Sequence, residues 1–107
     1  MRDISWSKKE REIARRAFGN AYQKECTALV MRSKKMLDSI NDPRDIWKIH
    51  DMLTESREEI DLKYDYRYSV LISVFARLLR ESWLTETDFA GLREDKLESI
   101  KALSEII

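Results

Sequence analysis

Apolar residues return along this chain in steps of three and four. Phe18, Tyr22, Cys26, Leu29, Met36 and Ile40 form the first such line, which is the spacing of one face of an α-helix. Ser7, followed three residues later by Glu10, has capping-box spacing and marks the start. The pattern predicts a helix from Ser7 to about Ile40, roughly 50 Å long at ~1.5 Å per residue. Gly19 lies inside it and is a candidate bend. Asn41-Asp42-Pro43 then interrupts the periodicity. Asp42 can cap a following helix, Pro43 suits a first helical position that needs no N–H, and Asp45 favours the positive end of the dipole.

The second line runs Ile46, His50, Leu53, Arg57, Ile60, Tyr64, Arg67, Leu71, Val74, Leu78, a four-three alternation of heptad type. It predicts one long helix, kinked near Ile60 to Asp65, in preference to two helices. Tyr64, Tyr66 and Tyr68 would spread around such a helix and wedge the end of the molecule against its shaft. Thr85 is placed to cap a short turn through Phe89 that ends at Gly91, and Leu97, Ile100, Leu103 and Ile107 share one face of a last helix. No segment has strand periodicity long enough for a sheet, and there is no internal repeat. The expected architecture is all-α and a single domain over residues 1–107: a long antiparallel helical hairpin as stalk, about 7–65, with a small helical head, about 66–107. Two helices cannot cover both sides of their seam, so a second copy is the expected cover and the chain is expected to dimerise through the stalk.

Composition supports the helical reading and narrows the function. Charged residues make up 37% of the chain against only 2 Gly and 1 Pro, which suits long helices with broad solvated faces. Lys+Arg and Asp+Glu are equal at 20 each, whereas nucleic-acid binders carry a basic excess on one surface. One cysteine, Cys26, excludes an internal disulfide and a cysteine-based zinc site; its place on the apolar line makes it a core residue. The opening residues Met1 to Trp6 lack the apolar run of a leader, and the longest apolar stretch, Val70 to Ala76, is too short to span a bilayer. A soluble, intracellular chain is expected. No phosphate-binding glycine loop, nucleophile elbow or metal signature is present, so no enzyme is expected.

The informative residues are polar groups in an apolar seam. His50 and Arg57 stand where Ile or Leu would maximise stability, and buried charges need partners. In a self-paired dimer Arg57 can meet Asp51 of the other chain; alternatively it snorkels from the seam edge. Trp47, one position off the seam, is either an interface anchor or a cover for the end of the first helix. His50 is the only histidine. Asp51 beside it is expected to point elsewhere, so the pair is not read as catalytic or metal-binding. Glu58, Glu59 and Asp61 read as a solvated helix face.

The run Asp45 to Leu53, with its Trp-x-x-His-Asp motif, and the run Arg57 to Ile72, with Glu-Ile-Asp-x-Lys-Tyr-Asp, together resemble the fluorescence recovery protein family. Trp6-Ser7, Ala21-Tyr22 with Glu25, Asp95-Lys96 and Lys101 to Leu103 extend the likeness over nearly the whole chain. The resemblance implies a cofactor-free cyanobacterial regulator of photoprotection. Such a protein binds the C-terminal domain of the photoactivated orange carotenoid protein, speeds its return to the orange form and releases it from the phycobilisome. It further implies a homodimer or higher oligomer in the cytoplasm, at the cytoplasmic face of the thylakoid membrane. Trp47, His50, Asp51 and Arg57 match the family's dimer-interface and partner-binding patch, and Phe75 and Lys101 match its partner-binding head. Ser73 and Ser99 depart from the family pattern in the head. That departure keeps open an alternative, a family-related helical adaptor with a different protein partner.

Overall fold

The computed structural model describes residues 5–107; the reading of Met1 to Ile4 falls outside them. The first helix, α1, spans Lys8–Asp38. Its start is the expected reciprocal cap: Ser7 Oγ accepts the Glu10 N–H at 3.1 Å, and Glu10 Oε1 accepts the Ser7 N–H at 3.1 Å. The helix runs unbroken through Gly19. After Asp38 the chain turns, and Asp42 accepts the Arg44 N–H at 2.9 Å to open one tight turn at Pro43–Asp45. The second helix, α2, follows at Ile46–Lys63 and lies antiparallel to the distal half of α1, as expected of a hairpin.

The single long second helix is not what forms. Helical structure stops at Lys63, Tyr64 adopts φ −89°, ψ 73°, and a third helix, α3, begins only at Leu71 and runs to Arg80. The reason is visible in Tyr64-Asp65-Tyr66-Arg67-Tyr68, where aromatic and charged residues alternate with period two. In an extended segment that period sends all three rings to one side. Phe18 takes Tyr64 and Tyr66 edge-on, with ring centroids 5.3 and 4.8 Å away, and Trp6 lies 5.8 Å from Tyr68. Asp65 and Arg67 pair with each other at 2.9 Å on the outer side. Packing three tyrosines on one side outweighs continuing the helix, which would have sent them to three different sides. The expected wedge is present, but as an extended strap.

The head does not consist of residues 66–107 alone. Ile13, Ala14, Ala17 and Ala21 of α1 are buried in one cluster with Leu71, Phe75, Leu78, Leu84, Phe89 and Ile100. The three alanines give α1 a smooth face that lets neighbouring elements approach closely. The head therefore takes the proximal half of α1, and the stalk proper is the distal half with α2. α3 ends where Ser82 adopts φ 66° and the Trp83 N–H reaches back to the Leu78 carbonyl at 3.0 Å. Thr85 caps the short turn Glu86–Phe89 as expected, and the last helix, α4, spans Glu94–Ile106. Of its apolar face, Ile100 is fully buried and Leu97 and Leu103 half-buried, while Ile107 is exposed. Gly91 joins turn and helix with φ +102°, and a Cβ there would stand 2.7 Å from Ile13 Cδ1. The backbone favours glycine there, and any larger residue would also have to displace the buried Ile13 side chain.

Two buried lysines tie the parts together. Lys96 of α4, 4% exposed, donates to Glu10 Oε1 at 3.1 Å, while Glu10 Oε2 accepts the Arg93 N–H at 3.0 Å. One carboxylate thus caps α1 and holds the start of α4. Burial alone would raise the Glu10 pKa, but the Arg93 and Ser7 N–H groups and Lys96 hold it below the usual carboxylate value. At the neck, Lys63 Nζ donates to Glu25 of α1 and to Glu81 beyond α3, both at 2.7 Å. Tyr64 Oη donates to Glu25 at 2.8 Å, and Arg77 bridges Glu81 at 2.8 Å and Glu59 at 3.1 Å. Glu59 is therefore part of the neck network, not merely a solvated carboxylate. The whole measures 54 × 26 × 25 Å.

Candidate protein-docking face on the stalk

The face of α2 turned to α1 is Ile49, Met52 and Ile60, with Lys63 at its end. That line is rotated from the heptad Ile46, His50, Leu53, Arg57, Ile60, of which only Ile60 is buried. The two lines adjoin, so α2 carries an apolar face wider than one neighbouring helix can cover. Ile46 and Leu53 each keep 41% of their surface exposed. α1 adds Tyr22, Val30 and Leu37, all about half exposed, with half-buried Cys26 between them. The Tyr22 phenol is raised in pKa chiefly by its contact with Cys26, and it also feels Arg57 and Asp61 across the hairpin. The two helices α1 and α2 thus present one surface.

Trp47, His50, Asp51 and Arg57 come together at this surface. Trp47 is 64% exposed, so it does not cover the end of α1; instead its ring stands edge-on to His50 with centroids 6.0 Å apart. The expectation that Asp51 points away from His50 is corrected. The two side chains swing toward each other, His50 Nδ1 to Asp51 Oδ1 at 3.3 Å, both well exposed. Arg57 pairs one turn along its own helix with Asp61 at 3.3 Å and leaves its guanidinium in solvent. An indole, an imidazole, a carboxylate and a guanidinium around an apolar strip suit recognition of a protein surface. Among the described residues no group of three or more His, Cys, Asp or Glu is arranged to hold a metal ion. No helix there is long and apolar enough to cross a membrane.

The two head residues stand elsewhere. Lys101 is exposed on α4 and pairs with Glu86 at 3.1 Å, which raises its pKa. Phe75 is fully buried against Phe89, ring centroids 5.1 Å apart. It is a core residue, so its side chain offers nothing to a partner. The residues that sequence reasoning missed are the buried ions Glu10, Lys63 and Lys96. Glu10 was legible as a cap but not as the partner of a lysine 86 positions away. Lys63 carried one faint signal, its place three residues beyond Ile60 on the buried line.

Comparison with known proteins gives a consistent result. The family model described as photoprotection regulator fluorescence recovery protein matches residues 6–104. The fluorescence recovery protein of Synechocystis sp. (strain ATCC 27184 / PCC 6803 / Kazusa) is 41% identical over 104 residues, covering 97% of this chain and 95% of that protein. The solved fluorescence recovery protein of Fremyella diplosiphon superposes with a TM-score of 0.88 at 44% identity, over 94% of this chain and 99% of that one. The solved protein of Synechocystis sp. PCC 6803 gives 0.89 at 40% identity, over the same shares. With this all-helical fold and near-complete coverage, the chain belongs to the fluorescence recovery protein family, a family of photoprotection regulators and not of enzymes.

Proposed function

We propose that this chain binds the photoactivated orange carotenoid protein through that protein's C-terminal domain, speeds its return to the orange form, and thereby promotes its detachment from the phycobilisome. It does so in the cytoplasm, at the cytoplasmic face of the thylakoid membrane, as a homodimer joined through its stalk. Family membership supports the partner. The observation that carries the assembly is the uncovered half of the α2 apolar face, where Ile46 and Leu53 are half exposed beside Trp47 and His50. A two-fold axis across that strip would cover it on both chains and bring Arg57 of one toward Asp51 of the other. No covalent step is needed. A binder accelerates relaxation of its partner when it favours the barrier-top arrangement over the red state.

Two measurements test this. Mixed with photoconverted orange carotenoid protein, the chain should accelerate the red-to-orange absorbance change; no acceleration at stoichiometric excess overturns the partner assignment. Arg57→Glu puts like charges face to face across the proposed seam. Sizing chromatography at low micromolar concentration should show the variant shifted to monomer, and an unchanged dimer overturns the pairing.

A further inference from the structure

We propose that the other flank of the hairpin is a second docking groove, shaped and charged for an acidic amphipathic helix of a partner protein. Near the stalk tip the trough between α1 and α2 opens into a groove of about 440 Å³. Its floor is Met36, Ile40 and Ile49, and its rim carries three cations, Arg32, Lys35 and Lys48, against one carboxylate, Asp45. Past Arg32 the trough continues as a depression of about 240 Å³ between Leu29 and Ile60, ending at Trp83 of the head. This flank lies across the buried Ile49–Met52–Ile60 line from His50 and Arg57, so it is separate from the surface described above.

The shape suits a helix. Two packed antiparallel helices leave a furrow that accepts the ridge of a third, and here the small residues Ser39 and Ser56 lie along its walls while Arg32 borders both depressions. The charge selects which helix. Lys48 is engaged with Asp45 at 3.3 Å, but among the described residues no carboxylate lies within ion-pair distance of Arg32 or Lys35. Their cationic ends stand beside an apolar floor, which is complementary to a helix with an apolar ridge flanked by Asp and Glu. At the head end the sign reverses: Glu25 and Glu59 line the depression, already engaged with Lys63 and Arg77. The incoming helix therefore has its acidic end over the tip and its neutral end toward Trp83. A two-fold self-pairing centred on Arg32 and Lys35 would set these residues of one copy against the same residues of the next, which argues for a different chain over the tip.

The test uses two synthetic amphipathic peptides of roughly 18 residues, long enough to span the groove. Both carry Leu at three-four spacing; one has Glu flanking the first two turns, the other Lys. In an amide NMR titration of the full chain, the Glu peptide should give saturable shifts confined to 25–40, 45–60 and Trp83. Its affinity should fall with salt, and the Lys peptide should bind at least about tenfold more weakly. Arg32→Glu with Lys35→Glu, both exposed and so compatible with the fold, should abolish the preference while leaving the helical circular dichroism unchanged. Equal binding of the two peptides, shifts centred on Trp47, or no saturable shift up to about 1 mM peptide would overturn the proposal. So would groove-residue shifts in the free chain that grow with its own concentration, since they would identify a second copy as the occupant.

Discussion

Head and stalk share one helix, yet they solve the burial problem differently. Along its proximal half α1 meets α3, α4 and the turn between them, and Leu71, Phe75, Leu78, Leu84 and Phe89 are each 1% exposed or less. Along its distal half it meets α2 alone, and Val30, Leu37, Ile46 and Leu53 remain 41–52% exposed. A third layer closes a core; two helices close half of one. The lesson is that the head carries its own stability, whereas the stalk is a surface in search of cover, with an apolar strip on one flank and a basic groove on the other.

The comparison breaks first where the head is densest. Phe75→Ala should cost about 3–5 kcal/mol, while Leu53→Ala in the stalk should cost under ~1 kcal/mol in the single chain because its side chain is already half hydrated. Urea denaturation of both variants in the Arg57→Glu background, which keeps the chain single, checks this, and similar losses would erase the distinction. Next in size, Glu10→Ala strands buried Lys96 and removes the cap of α1, for an expected loss of about 3 kcal/mol; adding Lys96→Met should recover a large part of it. Third comes pH. Glu10 and Glu81 both have pKa values below the ordinary 4.5, despite burial that would raise them, because N–H groups and cations hold the ionised forms. Their contribution to stability is complete above the unfolded carboxylate range and is lost as pH falls through the folded values. Acid titration of the melting temperature should therefore show a decline below about pH 4.5 that Glu10→Gln makes shallower. The smallest effect is a gain. Gly19 lies in the exposed middle of α1, where an added methyl group would meet nothing within 4 Å, so Gly19→Ala should stabilise by ~0.5–1 kcal/mol in thermal melts.

Much of this architecture was legible in the residues. Ser7 with Glu10, Asp42 with Pro43, and Thr85 with Gly91 announced three helix boundaries through local chemistry, and local chemistry is what a sequence states openly. Trp47, His50, Asp51 and Arg57 were legible as one group because a helix of known register carries them together. The failures have a different character. The heptad through Arg67 ran on into Leu71 and concealed a break decided by Phe18 and Trp6, residues roughly fifty positions away, packing on three alternating tyrosines. Phe75 was expected at a partner surface only through the family resemblance, and its burial against Phe89, 14 residues on, was not visible in its own position. Lys63 and Lys96 were not legible as buried ions, because their carboxylates lie 38 and 86 residues distant.

The double duty of Glu10 also sets an order of assembly. Its two oxygens hold Ser7 and Arg93, so the start of α1 is completed by the start of α4. Up to residue 63 the chain contains both helices of the hairpin, but its neck lysine still lacks Glu81. The head must wait until Ile100 has emerged, because only then can the start of α1 find its seat. Contacts of such long sequence separation form late and slowly. While α4 is missing, the chain shows the alanine face of α1 as well as both stalk flanks, so it is most adhesive before α4 is in place.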